Sequence, residues 1–274
     1  MPELPEVETV ARSLIDGQNI SDGILGLEIV SAEVFWNRTI AEPSAAEFIQ
    51  RIRGQRVQQV GRRAKYIRID LSEDVLLIHL RMTGDVLLFQ EETPLNKFSR
   101  AQIKFESGLG LSFNDARKFG RIWLLSDPDP ILASLGPEPL DKALKPAHFH
   151  AMLTSRKRQL KPLLLDQKFI AGLGNIYIDE ALHFARLHPL EISSEISTEK
   201  SAQLLKGIRK VLSESIKANG SSFDWAYRGG EFQNKFKVYQ KTGEPCPRCG
   251  TPIQRTVVGQ RGTHLCPQCQ QMTN

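Results

Sequence analysis

The sequence predicts an α+β protein with an N-terminal helix, an antiparallel β-sandwich or barrel, a helical segment and a small cysteine-containing ribbon. Three patterns support this order. Apolar residues recur at helical spacing just after the N-terminus, apolar and polar residues alternate over 65–71, and all four cysteines lie near the C-terminus. Composition and proline content place the domains at 1–135, 136–222 and 223–274.

The first helix is predicted from the spacing of Val7, Val10, Ala11 and Leu14. Pro5 suits a first helical turn, where its missing N–H is not needed. Glu6 and Glu8 complement the positive end of the helix dipole, and we expect the helix to end at Gly17.

Short strands are predicted from about residue 20 to residue 125. Residues 65–71 alternate with a period of two, which is typical of a strand with one buried face. The stretch "VLLIHLRMTGDVLLF", with "TGD" as its turn, predicts one hairpin. The stretch "AQIKFESGLGLSF", with "SGLG" as its turn, predicts another. Prolines in "SDPDP" and "LGPEPLDKALKP" then predict a linker.

Residues 147–219 have the pattern of helices. Leucines at 160, 163 and 164 form one apolar face, and Ile176 to Ala185 form a second, with the glycines of "AGLGN" between them. A longer helix is predicted from Thr198, ending near Gly220. Two helices joined by a glycine turn are typical of a helix-turn-helix, but also of plain helical hairpins.

Charge balance favours an anionic partner. The 274 residues contain 36 lysines and arginines against 31 acids, a net charge of +5, which suggests nucleic acid first and a membrane surface second. No apolar run reaches membrane-spanning length, and the acidic N-terminus is unlike a secretory signal. We therefore expect a cytoplasmic protein without disulfides.

The cysteines form two C-x-x-C pairs, "CPRCG" and "CPQCQ", separated by sixteen residues. This spacing lets four thiolates hold one tetrahedral Zn²⁺ and leaves no open position for catalysis, so the predicted metal is structural. The ligands are Cys246, Cys249, Cys266 and Cys269. The hairpin between the pairs exposes Arg261 near its tip, where a phosphate contact is favoured over simple solvation.

The stretch "NDARKFG" predicts a loop with Arg117, Lys118 and Phe119. Two interpretations are open. Phe119 packs in the core beside solvated cations, or its ring enters a base stack while arginine fills the gap. Met82, at another turn, is either a core methionine or a flexible gap-filler.

Two further residues have both a structural and a functional interpretation. In "GRRAKY", Lys65 begins a strand and is either solvated or able to bind phosphate or donate a proton. In "LGNIY", Asn175 begins a helix as its N-cap, and the same helix N-terminus also suits phosphate.

The opening "MPELPEVE" raises the question of nucleophilic catalysis. Removal of Met1 exposes the secondary amine of Pro2, and α-amino groups have a pKa of about 8. Such an amine attacks electrophilic carbon and forms an iminium, with Glu3 and Glu6 available to donate a proton and to orient it. With Met1 retained, the nitrogen is an amide and this chemistry is lost. The alternative is a plain helix-start signal.

Several motifs occur together and in order, namely "PELPEVE", "RRAKY", "HLRMTG", "ARKFG", "LGPEPL", "GLGNIYIDE" and "EPCPRCGTPI…QRGTHLCPQCQ". Over its whole length the chain resembles the formamidopyrimidine-DNA glycosylase family, the bacterial enzymes that remove 8-oxoguanine. The resemblance implies a helix plus β-sandwich, a helix–two-turn–helix domain and a zinc ribbon. It also implies a monomeric glycosylase and abasic-site lyase that flips oxidised purines out of duplex DNA.

The resemblance also implies roles for particular residues. Pro2 is similar to the nucleophile that attacks C1′, Glu3 to the proton donor, and Glu6 to a supporting carboxylate. Lys65 is similar to the lysine assigned to β-elimination and phosphate binding, and Arg261 to the arginine assigned to δ-elimination.

The remaining implied residues contact DNA. They fill the gap left by the flipped base or bind phosphate, and are Met82, Arg117, Lys118, Phe119, Lys157 and Asn175. Phe98 stands where many members carry a DNA-contacting histidine, and Arg100 is near enough in the sequence to replace that contact.

Two alternatives to a purine-lesion enzyme remain open at this point. One is a glycosylase on the same scaffold that prefers oxidised pyrimidines. The other is a zinc-ribbon DNA-binding protein without catalysis, against which the joint presence of Pro2, Glu3 and Lys65 argues.

Overall fold

A computed structural model describes residues 1–90, 92–222 and 229–272. The chain folds as two compact units. The first comprises Met1–Ala133 with Ser222–Gly229, and the second comprises Ser134–Ser221 with Gly230–Asn274. The change from one unit to the next falls within the proline-rich stretch. In the described part of the chain, no helix combines the length and apolar character needed to cross a membrane.

Helix α1 spans Leu4–Asp16, and its ends have clear local causes. Glu3 is the N-cap, and it forms a reciprocal capping box with Glu6 that satisfies two backbone N–H groups at the helix start. Gly17 ends the helix with φ of 79°, a left-handed conformation that glycine adopts without strain. The predicted apolar face is buried, with Val7 and Leu14 fully inaccessible.

Nine strands of the first unit form two sheets, a sandwich rather than a barrel. The four-stranded sheet has the order β1-β7-β8-β6, and the five-stranded sheet has the order β2-β9-β5-β4-β3. The strands are β1 Ile29–Val34, β2 Ile40–Glu42, β3 Val57–Arg63, β4 Tyr66–Leu71, β5 Val75–His79, β6 Gly84–Gln90, β7 Ser99–Phe105, β8 Leu109–Asp115 and β9 Arg121–Leu125. Strand β4 buries alternate residues, as its period of two predicts.

One predicted hairpin is present and the other is wrong. Strands β7 and β8 pair antiparallel, with Ile103 opposite Leu111. Strand β5, however, pairs with β4 and β9, whereas β6 pairs with β8 in the other sheet. The turn between β5 and β6 therefore crosses between sheets. Gly84 permits this tight corner, because a Cβ there would lie 2.4 Å from the carbonyl oxygen of Leu80.

The core of the first unit lies between α1, the two sheets and helix α2 (Ala45–Ile52). Phe48, Ile78 and Phe113 are fully inaccessible within it. A short helix α3 (Asp129–Leu132) follows the last strand. Single 3₁₀ turns occupy Gly17–Asn19 and Asn37–Thr39.

Among the described residues, the second unit contains four α-helices and the ribbon. The helices are α4 Pro146–Thr154, α5 Leu160–Leu165, α6 Asn175–Ala185 and α7 Thr198–Lys217, with 3₁₀ turns at Ser193–Glu195 and Phe232–Lys235. Ser197 caps α7 by accepting a hydrogen bond from the N–H of Lys200. Helix α6 is capped by the backbone of Gly174, so the prediction that Asn175 is the N-cap is wrong.

The ribbon hairpin consists of β10 (Gln254–Val258) and β11 (Arg261–Leu265), paired antiparallel. Gly259 and Gln260 form the turn with φ of 56° and 63°. Two successive positive φ values are what a two-residue turn between twisted antiparallel strands requires. Arg261 is thereby the first residue of β11, exposed next to the tip.

Candidate active site

Pro2, Glu3 and Glu6 are all buried at the start of α1, with Pro2 directly before the N-cap residue Glu3. Pro2 is buried, and the two carboxylate residues are only 2% and 3% exposed. Glu6 Oε2 accepts the backbone N–H of Glu3 at 2.9 Å, and the Glu3 carboxylate accepts the N–H of Glu6. The start of α1 therefore orients the two carboxylates relative to each other, directly after Pro2 in the chain.

Lys65 is buried, at 5% exposure, which excludes the solvated interpretation. It lies in the two-residue turn between β3 and β4, closed by the pairing of Arg63 with Tyr66. Ala64 adopts φ of 54° in this turn. A lysine side chain held out of water at a fixed position is better suited to proton transfer or phosphate binding than a mobile one.

His79 is a buried residue close enough to Lys65 to feel its charge, and no sequence pattern selects it. Burial, together with the positive charges of Arg81 and Lys65, lowers the pKa of His79 to about 3, so the imidazole is neutral at pH 7. Its Nδ1 accepts the N–H of Arg81 at 3.0 Å, and its ring packs edge-on against Tyr66. A single histidine in an apolar strand has no pattern that distinguishes it from a core residue.

The loop after β8 presents Arg117, Lys118 and Phe119 to solvent. Phe119 is 49% exposed, so the interpretation that its ring packs in the core is wrong. The guanidinium carbon of Arg117 lies 4.9 Å from the centre of the Phe119 ring. Lys118, with φ of 61°, places its ammonium 4.0 Å from the centre of the Trp36 ring. These stacked pairs hold the cations and the aromatic ring at a surface.

Met82 lies in the corner between β5 and β6 and is half-buried. The next residue, Thr83, hydrogen-bonds to Asp115 at the start of the loop that carries Phe119. The fold therefore links two segments that the sequence separates by about thirty residues, as their numbering shows. Met82, Arg117 and Phe119 are called the wedge residues below.

Arg100 is half-buried, and its guanidinium hydrogen-bonds to the backbone where the loop that carries Phe119 begins. Its Nε donates to the carbonyl oxygen of Asp115 at 2.7 Å. Phe98 is half-buried, with the ammonium of Lys97 5.0 Å from the centre of its ring. A DNA contact by Arg100 stays a prediction.

In the second unit, the carbonyl oxygen of Gly262 joins the ribbon to the helices. It accepts Asn175 Nδ2 at 2.9 Å and Lys161 Nζ at 3.1 Å. Gly262 directly follows Arg261, so these two bonds fix the strand beside the arginine. Lys157 is exposed on the segment before α5.

Lys161 and Asp179 form a fully buried ion pair that the sequence analysis missed. Lys161 Nζ lies 2.6 Å from Asp179 Oδ1, and both side chains are inaccessible. Asp179 Oδ2 accepts the backbone N–H of His264 at 2.9 Å, so the pair contacts β11 at two points. The available signal was one lysine and one aspartate on otherwise apolar helix faces.

The four cysteines fit a single tetrahedral ion. Their sulfur atoms lie within 4.8 Å of one another, in separations that include 3.4 Å for Cys249–Cys266 and 4.0 Å for Cys246–Cys269. A zinc–sulfur bond of about 2.3 Å in tetrahedral geometry requires sulfur atoms roughly 3.8 Å apart. The donor set thus matches one structural Zn²⁺ and leaves no coordination position for substrate.

Comparison with known families matches the chain in three consecutive regions. These are the formamidopyrimidine-DNA glycosylase N-terminal domain over residues 1–122, the H2TH domain of the same enzymes over 135–226, and the zinc finger found in FPG and IleRS over 243–271. The chain belongs to the formamidopyrimidine-DNA glycosylase family. The alternative of a zinc-ribbon DNA-binding protein without catalysis is wrong, because the N-terminal domain of the glycosylase family matches residues 1–122.

Individual relatives match along nearly the whole length. The formamidopyrimidine-DNA glycosylase of Protochlamydia amoebophila is 44% identical, covering 98% of this chain and 99% of that protein. The one from Herpetosiphon aurantiacus is 41% identical, covering 98% and 100%. As a member of this family, the chain is a DNA glycosylase of base excision repair.

Solved structures of the family share the fold. MutM in complex with DNA containing carbocyclic 8-oxo-G has a TM-score of 0.91 and 36% identity, with 99% of this chain and 100% of that chain covered. Lactococcus lactis Fpg bound to DNA containing N7-benzyl-Fapy-dG has a TM-score of 0.90 and 36% identity, with the same coverage. The expected loop over the base, residues 227–234, lies partly outside the described residues, since 227 and 228 are not among them.

Proposed function

We propose that this chain excises oxidised purines, 8-oxoguanine and formamidopyrimidines, from duplex DNA and then cleaves the abasic strand by β,δ-elimination. The observation that carries the proposal is the joint burial of Pro2, Glu3 and Glu6 at the start of α1, where Glu3 and Glu6 hydrogen-bond reciprocally. The substrate class is supported by the family relatives, whose solved complexes contain 8-oxo-G and Fapy-dG analogues. Because the bound lesions in these complexes are purine-derived, they favour purine over pyrimidine lesions as the substrate.

The first chemical step uses the amine of Pro2 after removal of Met1. The nitrogen lone pair attacks C1′ and the C1′–base bond breaks, so the base leaves with the bonding pair and takes up a proton, while the attacking nitrogen gives up its N–H proton. Glu3 then donates a proton to the ring oxygen as the C1′–oxygen bond breaks, and the nitrogen lone pair forms the charged iminium. Glu6 accepts the N–H of Glu3 and so keeps the proton donor in place.

The iminium acts as an electron sink in the second step. It acidifies the hydrogen on C2′, and loss of that proton expels the 3′-phosphate by β-elimination. A second elimination then expels the 5′-phosphate. We assign Lys65 to the first elimination, where its buried ammonium stabilises the departing 3′-phosphate, and Arg261 to the second.

Base extraction precedes both steps. Flipping a nucleotide out of the duplex costs a few kcal/mol, and side chains inserted into the vacated stack offset part of that cost. The exposed ring of Phe119, stacked with Arg117, is shaped for this insertion. Met82 is half-buried and directly precedes Thr83, which hydrogen-bonds to Asp115 at the start of the same loop, and it is assigned to the same gap.

Phosphate binding is assigned to residues of both units. Lys118 is exposed on the wedge loop, Lys157 is exposed before α5, and Asn175 lies in the first turn of α6, where backbone N–H groups attract anions. The thiolates hold the ribbon that carries Arg261. The domain boundaries 1–135, 136–222 and 223–274, the monomeric state and an intracellular location stay predictions.

The test is borohydride trapping on a duplex with 8-oxoguanine opposite cytosine, run beside the same duplex with an oxidised pyrimidine. Borohydride reduces the iminium to a stable amine bond. We expect a covalent adduct that maps to the N-terminal peptide and forms faster on the purine lesion. Mapping to Lys65 would overturn the nucleophile, and faster trapping on the pyrimidine would overturn the substrate class.

A further inference from the structure

Asp115, at the end of β8, organises the loop that carries two of the wedge residues. Its carboxylate is 1% exposed. Oδ1 accepts the backbone N–H of Arg117 at 3.1 Å, and Oδ2 accepts the backbone N–H of Gly120 at 2.7 Å. A single buried side chain thus binds the loop on both sides of Phe119.

Thr83 connects the same carboxylate to the corner between the two sheets. Its hydroxyl donates to Asp115 Oδ1, and its Oγ1 accepts the N–H of Arg117 at 3.2 Å. Thr83 is 8% exposed and directly follows Met82. Threonine and aspartate therefore join the Met82 segment to the Phe119 segment through one buried polar contact, called the Thr83–Asp115 clamp here.

Two features show that the loop needs such a clamp. Lys118 has φ of 61°, a left-handed conformation that non-glycine residues rarely adopt. Phe119 leaves 49% of its surface in water, so core packing does not hold the ring, and its stacking partner Arg117 lies on the same loop. Hydrogen bonds from the loop backbone to the buried Asp115 carboxylate restrain this segment.

We propose that Thr83 and Asp115 are positioning residues for base extraction, which hold Met82, Arg117 and Phe119 in one fixed arrangement before DNA binds. The inference rests on the proposed wedge function. Preorganisation lowers the cost of ordering side chains at the moment of insertion. The clamp therefore acts on lesion excision and leaves strand cleavage at a preformed abasic site unaffected, since that substrate has no base to unstack.

The test compares Thr83→Val with Thr83→Ser in the full chain. Valine keeps the shape but removes the hydroxyl, whereas serine keeps the hydroxyl. We expect valine to lower single-turnover excision of 8-oxoguanine on the order of tenfold, with little change at a preformed abasic site and near-complete recovery with serine. Equal losses on both substrates, or a serine variant as slow as valine, would overturn the proposal.

Thr39→Val is the matched control. Thr39 is fully buried in the same unit, and its hydroxyl has no hydrogen-bond partner among the described residues. We expect this variant to excise the lesion at the unmodified rate. A loss equal to that of Thr83→Val would mean that any buried threonine change has this effect, and the clamp would be rejected.

Phe119→Ala separates failure of the clamp from failure of the wedge. If Phe119→Ala slows both substrates equally, the wedge function is wrong and the clamp falls with it. If Phe119→Ala slows only excision of the lesion, adding Thr83→Val to it should slow excision much less than Thr83→Val does in the unmodified chain. The reason is that the clamp acts through the Phe119 ring. Full additivity there would reject the clamp while keeping the wedge.

Discussion

The N-terminus of the first unit and the ribbon of the second unit hold their functional side chains in opposite ways. In the first unit, Glu3 and Glu6 orient each other within one helical turn, and Lys65 lies in a two-residue turn. In the second unit, the strand beside Arg261 is held by side chains 87 and 101 residues away in the chain, Asn175 and Lys161. The catalytic N-terminus is thus built locally, whereas the ribbon arginine depends on long-range buried polar contacts.

The largest expected effect is at the N-terminus. A chain that retains Met1 has an amide at Pro2 and should show no borohydride trapping, whereas Pro2→Gly keeps an amine and should retain some. Glu3→Gln should block base excision yet spare cleavage at a preformed abasic site, where the first step is complete. An intact-mass measurement shows whether Met1 is present. Trapping by a chain that retains Met1 would refute the assignment of Pro2 as the nucleophile.

Loss of one zinc ligand should have the next largest effect. Cys249→Ser leaves three thiolates, and we expect the ribbon to unfold because structural zinc supplies the folding free energy of such small elements. The first unit, which has its own core, should stay folded. Elemental analysis and DNA affinity measure the change, with exposed Ser107→Ala as control. An active protein without zinc would contradict this prediction.

The Lys161–Asp179 pair provides the test of long-range support. Lys161→Met leaves a buried carboxylate uncompensated, which costs about 3–5 kcal/mol, and the double replacement with Asp179→Leu should cost less. Because the pair contacts β11, δ-elimination should fall more than β-elimination. Urea unfolding and gel analysis of the two products measure this. Lys168 is exposed, and Lys168→Met should change neither the free energy of unfolding nor the product ratio. An unchanged product ratio in Lys161→Met would show that the ribbon arginine does not depend on this long-range contact.

Buried His79 predicts a pH dependence of stability for the first unit. Its pKa is lowered to about 3 in the fold, whereas the unfolded value is about 6.5. Between these values the unfolded chain binds more protons, so stability is full above pH 6.5 and falls as the pH falls, by up to about 1.4 kcal/mol per pH unit. Urea unfolding from pH 7 to 5 should show this slope.

A pair of histidine variants tests that assignment. His79→Gln should flatten the slope, and exposed His148→Gln should leave it as it is. If both variants keep the full slope, other groups are responsible and the environment assigned to His79 is wrong.

The smallest expected effect is at Lys157. If it contacts a phosphate, Lys157→Ala should lower the slope of log affinity against log salt by roughly one unit, the contribution of one contact. Lys206→Ala, an exposed lysine on α7, is the matched control and should keep the slope. An unchanged slope in Lys157→Ala would place this lysine away from the DNA.

The sequence predicted those parts of the site that depend on neighbours in the chain. The helix start at Glu3 and Leu4, the cysteine spacing and the β7–β8 hairpin follow local rules, since a cap, a metal pair or a tight turn involves only a few adjacent residues. The β5–β6 hairpin was wrong because two apolar runs joined by a glycine turn look the same whether they pair or cross between sheets.

Only the tertiary structure decided which buried polar groups meet. Asp115, Thr83, Lys161 and Asp179 carry no sequence pattern, because each is satisfied by a partner on a distant element. By itself, the sequence determined the helix start, the zinc ligands and the exposed loops, whose causes are steric and local. The fold determined the burial of Lys65 and the clamp, because desolvation and hydrogen bonding between segments exist only once both segments are packed.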